Sequence, residues 1–229
     1  MPNGKTAHMT GEVCATGEFS RSHPFMKWMT KAWVDKTLAI AAVFPFIYPI
    51  LKHFSQHWTV GDVLYLAQVL LLVATMITRR TPVRVTSNPL YWLLAFVATY
   101  WGLFVLSVSQ KGRPLVPGWV VAPIYFFSVF MVFWARLSLG KNIGMLPAQR
   151  EIVDLGAYRW MRHPIYGSFF ILMVAEVLQT YSPRNLVLYS LAVFWFAIKS
   201  LVEEEFLRKD PKYEAYMGRV RWRWIPGLV

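Results

Sequence analysis

Six apolar stretches decide what this chain can fold into: residues 34–51, 62–77, 90–109, 119–137, 165–180 and 186–202. A helix rises about 1.5 Å per residue and needs roughly 20 residues to cross a hydrocarbon core of about 30 Å. The third and fourth stretches reach that length, while Pro45 and Pro49 predict a kink in the first. The fifth and sixth are short and predict a helical hairpin. We expect an all-α polytopic membrane protein with about six transmembrane helices.

The distribution of lysine and arginine supports this arrangement independently. With a cytosolic N-terminus and six alternating spans, 20 of the 24 basic side chains fall in cytosolic segments. The four outside are Lys52, Lys111, Arg113 and Arg184. This bias follows the positive-inside rule, and attraction to anionic lipids accounts for the net charge of +12 without nucleic acid. We expect a multi-pass integral membrane protein with both termini in the cytosol.

Composition and cysteine content further limit the class of protein to which this chain can belong. The chain is 56% apolar and 16% charged, whereas soluble domains are about half apolar and a quarter charged. Cys14 is the only cysteine, which excludes an intrachain disulfide and a cysteine-rich metal site. Residues 1–32 lack the pattern of a signal peptide and predict a cytosolic arm. Residues 33–135 predict a transmembrane scaffold, and residues 136–229 hold most of the unusual polar chemistry.

Polar residues at the two open ends of the predicted hairpin indicate a ligand site. Arg162 and His163 precede Pro164, which favours the first turn of a helix, and a helix N-terminus beside two basic residues suits an anion. Tyr166 shares the helix face of His163. Glu203 ends the returning helix, so we expect it at the same membrane surface. A cationic and an anionic group facing one crevice would fit a zwitterionic amino-acid ligand.

Aromatic residues near the predicted hairpin are further candidates for ligand binding, although simpler structural roles are also compatible with these residues. The faces of Tyr158, Trp160 and Tyr166 are candidates for holding a sulfonium group by a cation–π interaction. A basic and aromatic loop beside a span is, however, commonly a membrane anchor. Lys199 and Glu203, four residues apart, are also compatible with an ordinary pair on a helix surface. Taken singly, these features leave both interpretations open.

The order of the motifs resembles the isoprenylcysteine carboxyl methyltransferase and phospholipid methyltransferase family. Arg-His-Pro-x-Tyr at residues 162–166 is followed by a second short span, Glu-Glu-x-x-Leu at residues 203–207 and Tyr-x-x-Tyr at residues 213–216. The resemblance covers about residues 136–226, and the earlier residues match only as spans. It implies a cytosolic pocket for S-adenosylmethionine and methyl transfer to a lipophilic acceptor.

The resemblance also implies roles for single residues. Glu203 matches a catalytically required acid, His163 a cofactor-binding position, and Lys199 an arginine that meets the acceptor; these three are the catalytic candidates. The cofactor-binding candidates, which include Arg162 and Tyr166 from the crevice argument, are Asn142, Arg150, Glu151, Ile152, Val153, Tyr158, Arg162, His163, Tyr166 and Glu203. We expect no metal site.

Some positions depart from the family pattern. Gly167 comes one place before the usual glycine, whose position is taken by Ser168, and Ala157 replaces a usual proline. Lys199 in place of arginine loses the planar two-pronged grip on a carboxylate, which weakens the expectation of a prenylcysteine-type acceptor. Glu176, inside the fifth stretch, is expected either to line an acceptor pocket or to pair with a neighbouring helix.

Methyl transfer from a sulfonium is a direct displacement, so the protein mainly aligns the reacting atoms and excludes water. A carboxylate acceptor needs no base, whereas an amine or thiol would lose its proton to Glu203 or His163. The sequence has no Gly-x-Gly-x-Gly loop after a strand, which disfavours a soluble-type methyltransferase.

Two other functions stay open. An NADPH-dependent sterol or steroid reductase shares the histidine and Tyr-x-x-Tyr landmarks but lacks the proline after histidine and the Glu-Glu-x-x-Leu motif. A non-catalytic scaffold or transporter would leave the polar cluster after Arg136 unexplained. The identity of the acceptor, its reacting atom and the oligomeric state cannot be read from the sequence.

Overall fold

Helices carry the fold of the computed structural model, which describes residues 18–19, 24, 32–47, 60–82, 84–86, 88–109 and 111–228. The helices are α1 (Ala32–Val43), α2 (Val60–Thr78), α3 (Pro89–Val108), α4 (Gly118–Leu139), α5 (Pro164–Gln179), α6 (Pro183–Leu207) and α7 (Pro211–Arg219). Short 3-10 turns occur at Phe44–Phe46, Gly140–Asn142 and Gly156–Arg159. The mainly helical fold is therefore confirmed, and α1 to α6 coincide with the six apolar stretches.

Two of the described helices are long and apolar enough to cross a membrane by themselves, namely Gly118–Asn142 and Pro183–Leu207. Two shorter helical segments, Val63–Thr78 and Pro164–Gln179, are also apolar. The predicted arm at residues 1–32 lies outside the described residues apart from positions 18–19, 24 and 32.

The first apolar stretch differs from the expected kinked helix. α1 ends at Val43, and Pro45 lies in the 3-10 turn that follows. Proline has no N–H for the helix ladder, and its ring clashes with the carbonyl four residues earlier. The second proline of this stretch, Pro49, lies outside the described residues.

A small antiparallel sheet was not predicted. β1 (Glu18–Phe19), β2 (Arg84–Thr86) and β3 (Ala148–Gln149) pair in that order, with Val85 opposite both Phe19 and Ala148. Strands of two or three residues are too short to show the alternating pattern by which strands are recognised. The sheet joins the segment after α2 to the loop after α4.

The hairpin predicted near the C-terminus is present. α5 ends at Gln179, α6 begins at Pro183, and the two helices pack against each other. The Ser182 hydroxyl caps α6 by accepting a hydrogen bond from the backbone N–H of Asn185 at 3.1 Å. On its other sides α5 packs along α4, and α6 packs along α3. The start of α5 and the end of α6 therefore lie at the same end of the bundle.

Replacing Ser182 tests the contribution of this cap. We expect Ser182→Ala to lower the free energy of unfolding by about 1 kcal/mol, because one N–H at the start of α6 loses its acceptor. Ser182→Asp keeps an acceptor and should retain most of that stability. Thermal unfolding in detergent micelles measures both variants; equal midpoints for the alanine and aspartate proteins would contradict the role of the cap.

Candidate active site

A cavity of about 1060 Å³ lies among α2 to α6 and the loop between α4 and α5. Its wall contains all the residues named as catalytic or cofactor-binding candidates: Asn142, Arg150, Glu151, Ile152, Val153, Tyr158, Arg162, His163, Tyr166, Lys199 and Glu203. Trp160, the third aromatic candidate for holding a sulfonium, is outside this wall and is 60% exposed. The structure thus brings separate segments of the chain to one cavity, and the roles of these residues in binding and catalysis stay predictions.

Glu203, Tyr166 and His163 form the contact between the two ends of the hairpin. The Tyr166 hydroxyl lies 2.9 and 3.0 Å from the two carboxylate oxygens of Glu203 and donates a hydrogen bond that the two oxygens share. His163 Nδ1 lies 4.0 Å from Glu203 Oε2. The imidazole and phenol rings stack with centroids 5.5 Å apart. A basic group and an acid therefore share one site, as the hairpin predicts.

Glu204 is a site residue that the sequence analysis did not assign. Its side chain is 2% exposed, and its carboxylate accepts hydrogen bonds from Arg162 Nε at 2.7 Å and Arg223 Nη2 at 2.9 Å. His163 Nε2 lies 3.2 Å from the same carboxylate. A buried carboxylate is stable only when paired and hydrogen-bonded, which this arrangement provides. The motifs Arg162-His163 and Glu203-Glu204 indicate that basic and acidic groups meet here. They do not indicate which of the two glutamates contacts Arg162.

Arg162 has a different environment from the one expected. Besides Glu204, its guanidinium donates to the backbone oxygens of Val220 and Arg221 at 2.9 and 3.0 Å. From the sequence, the carboxylate of a ligand was expected to meet Arg162 or His163. The observed contacts instead make Arg162 a link between α5, α6 and the C-terminal residues.

Residues 220–224 form a C-terminal strap across the start of α5. The backbone N–H groups of Arg162 and His163 donate to the carbonyls of Trp222 and Arg223 at 2.9 and 2.8 Å. The Trp224 indole donates to the Ser200 hydroxyl at 2.9 Å. The strap therefore has a structural role in addition to the interfacial position that alternating arginine and tryptophan would suit.

The strap explains why glycine occupies position 167. A Cβ at Gly167 would lie 2.1 Å from the carbonyl oxygen of Trp224, which is closer than any side-chain carbon can approach. At the next position, the Ser168 hydroxyl donates to the Ile165 carbonyl at 2.7 Å. The early glycine, which departs from the family pattern, is thus required by the close passage of this chain's own C-terminal residues.

Lys199 is buried, with 4% of its side chain exposed. Its ammonium donates to the Thr99 hydroxyl of α3 at 2.9 Å and lies 5.7 Å from the centre of the Tyr166 ring. Such burial is incompatible with the solvated pair with Glu203 considered above. Lys199 is instead a cation in the cavity wall.

Tyr158, in the turn Gly156–Arg159, is held by the Tyr-x-x-Tyr motif of α7. The Tyr216 hydroxyl donates to the Tyr158 carbonyl oxygen at 2.8 Å, and Tyr213 and Tyr216 pack in one buried cluster with Val220. Burial, together with nearby Tyr216 and Glu203, raises the pKa of Tyr158 well above its ordinary value. Its hydroxyl therefore stays protonated near neutral pH and can act as a hydrogen-bond donor.

Residues 150–153, which the resemblance relates to the adenosine part of the cofactor, follow β3. Arg150 Nε donates to the Arg80 carbonyl oxygen at 3.0 Å, and Glu151 forms an ion pair with the Arg80 side chain. Ile152 packs against the tyrosine cluster of α7. Residues 150–152 are therefore held by contacts with Arg80 on one side and with α7 on the other.

Glu176 pairs with neighbouring helices, as one expectation stated, and also lines the cavity. Its carboxylate accepts a hydrogen bond from the Tyr189 hydroxyl at 3.4 Å and is also hydrogen-bonded to Tyr125 of α4. All three residues line the cavity. Glu176 thus pairs with neighbouring helices and faces the same space as Glu203, about ten helical residues, or roughly 15 Å, beyond Tyr166.

Comparison with known proteins supports one of the functions left open by the sequence. Residues 118–213 match the phospholipid methyltransferase family. The chain is 32% identical over 133 residues to proteins named probable protein-S-isoprenylcysteine O-methyltransferase from Oryza sativa subsp. indica and subsp. japonica. The match spans 57% of this chain and 60% of the length of each relative. These findings confirm the family resemblance that the motifs indicate.

A pair of glycine substitutions tests the strap. Gly167→Ala should destabilise the protein by at least 1–3 kcal/mol, because the new methyl group overlaps the Trp224 carbonyl and must displace the strap. Gly218→Ala, where nothing lies within 4 Å of the added carbon, should be neutral or slightly stabilising in helix α7. Thermal unfolding in detergent separates the variants, and equal midpoints for the two would rule out the close contact.

Proposed function

We propose that this chain, whose residues 118–213 match the phospholipid methyltransferase family, is an integral membrane enzyme that transfers a methyl group from S-adenosylmethionine to a lipophilic acceptor. The observation that carries this proposal is the placement of Glu203, Tyr166 and His163 in the wall of one large cavity. The rest of that wall is mostly apolar, which suits a lipid-like acceptor.

The residues present fit the cofactor. The carboxylate of Glu203 is suited to an ammonium group, and the rings of Tyr158 and Tyr166 are suited to a sulfonium. Asn142 Oδ1 is a buried acceptor with no hydrogen-bond partner among the described residues, and a nucleoside offers N–H and O–H donors. When bound, S-adenosylmethionine supplies the electrophilic methyl group.

The acceptor would occupy the apolar part of the cavity. Phe169, Met173 and Phe196 line it between the Glu203 end and the Glu176 end. The names of the two relatives favour a prenylcysteine-like carboxylate, for which buried Lys199 is the cationic partner. Lipid amines and similar acceptors are the alternative, and they require removal of a proton.

His163 is placed to accept such a proton. Its Nε2 faces the Glu204 carboxylate at 3.2 Å, so this nitrogen carries hydrogen, and Nδ1 is left as the basic atom. Glu203, 4.0 Å from Nδ1, would stabilise the imidazolium that forms. For a carboxylate acceptor the same residues only position the reactants and exclude water.

The membrane assignment rests on apolar helices whose outer faces stay uncovered. Trp119 and Phe130 on α4 are 77% and 54% exposed, and Leu137 is 65% exposed. Large apolar patches of this kind are unfavourable in water and suit a lipid environment. We place the six apolar stretches, which overlap α1 to α6, across the bilayer with both termini and the Glu203 end of the cavity on the cytosolic side, accessible to the water-soluble cofactor.

Cofactor binding distinguishes this function from an NADPH-dependent reductase or a scaffold. We expect purified protein to bind S-adenosylhomocysteine, but not NADPH, in isothermal titration calorimetry. Glu203→Gln should weaken this binding roughly tenfold or more, because a charged hydrogen bond contributes about 1.5–3 kcal/mol. Glu214→Gln, at an exposed site on α7, is the matched control. NADPH binding would support the reductase, and binding of neither nucleotide the scaffold.

Cysteine labelling tests the orientation. In a Cys14→Ser background, Lys111→Cys should react with a membrane-impermeant maleimide in intact bacterial cells, since the loop before α4 is placed outside. Lys212→Cys should react only after permeabilisation. Both positions are exposed in the structure. Labelling of both in intact cells, or the reverse pattern, would contradict the proposed topology.

A further inference from the structure

Unpaired polar atoms cluster on one part of the cavity wall. Four buried side-chain atoms lack a hydrogen-bond partner among the described residues: Gln68 Oε1, Arg136 Nε, Asn142 Oδ1 and Trp195 Nε1. Three of their residues, Gln68, Arg136 and Asn142, line the cavity. Buried polar groups in native proteins are nearly always hydrogen-bonded, so this concentration points to a polar ligand group at the α2–α4 side.

Arg136 is the only cation in this cluster. Its Nη1 donates to the backbone oxygen of Gln68 at 2.8 Å, which fixes the guanidinium against α2. Within the described part of the chain, no carboxylate forms an ion pair with Arg136. A buried guanidinium without an anion is unfavourable, whereas a carboxylate would meet both its charge and its free N–H.

The other cations near Glu203 are engaged differently. Arg162 is bound by Glu204 and two backbone carbonyls. Lys199 donates to Thr99 and lies over the Tyr166 ring. Arg136 and Glu203, in contrast, both interact electrostatically with Tyr158. A cation and an acid that both influence Tyr158 therefore line the same cavity, where they can meet the two opposite charges of an amino acid.

We infer that Arg136, whose guanidinium is held by the backbone oxygen of Gln68, binds the carboxylate of the cofactor's amino-acid part, while Glu203 binds its ammonium. This inference rests on the proposed function and replaces Arg162 or His163, the carboxylate partners expected from the sequence. It gives Gln68, a residue of the segment predicted to be scaffold, the role of positioning Arg136.

Binding of two ligands that differ by one group tests the inference. The ligands are S-adenosylhomocysteine and its decarboxylated analogue, which keeps the amine. Wild-type protein should bind S-adenosylhomocysteine roughly ten- to a hundredfold more tightly, as expected for a charged hydrogen bond. Arg136→Gln should abolish this preference and leave the affinity for the analogue unchanged. Retained binding of the analogue shows that the variant is folded.

A second variant and a control complete the experiment. Gln68→Glu puts a carboxylate beside the guanidinium and should also reduce the preference, without removing Arg136. Arg184→Gln, at an exposed position in the first turn of α6, should behave as wild type.

Two results would overturn the inference while leaving the proposed function intact. One is a preference for the carboxylate that persists in Arg136→Gln or Gln68→Glu. The other is loss of the preference in Lys199→Gln with Arg136→Gln unaffected. Failure of wild-type protein to bind either ligand would instead reject the proposed function, and the inference with it.

Discussion

The buried carboxylate of Glu204 is the interaction on which the geometry of the site depends. Removing a carboxylate from water is costly unless its oxygens are saturated, and here Arg162, His163 and Arg223 converge on it. These residues belong to the start of α5 and the C-terminal strap, while Glu204 belongs to the end of α6. One buried anion thus fixes three segments in register, and the adjacent Glu203 is thereby directed at the cavity.

The strap extends this constraint to the backbone. Its carbonyls accept hydrogen bonds from the backbone N–H groups of Arg162 and His163. These two residues directly precede α5, which begins at Pro164, so their N–H groups have no partner within the helix. The same close passage excludes a side chain at Gly167. A local change in the family pattern therefore reflects a contact between residues more than fifty positions apart in the sequence, and the two features have to be considered together.

The sequence predicted the helices and part of the site, because both depend on local patterns. Apolar stretches located α1 to α6, and motif spacing along the hairpin placed His163 near Glu203. Partner choice was not predictable: a ligand carboxylate was expected at Arg162 or His163, yet Arg162 pairs with Glu204, 42 positions away, and no local pattern indicates this contact. Gln68 was assigned to scaffold because its contact with Arg136, 68 positions away, leaves no local pattern. The strands, of two or three residues, were too short to recognise.

The arrangement of polar and apolar surface along the cavity agrees with the small chemical demand of sulfonium methyl transfer. The leaving thioether is neutral, so the reaction needs no oxyanion site. The protein therefore has mainly to align the reacting atoms and to exclude water. Saturated, buried contacts such as those of Glu204 and Tyr166 provide rigid alignment. In the proposed reaction, the apolar wall formed by Phe169, Met173 and Phe196 would keep water from the reacting atoms. A cavity that is charged at one end and apolar beyond it can therefore bring a water-soluble donor and a lipid-soluble acceptor together without either leaving its own phase.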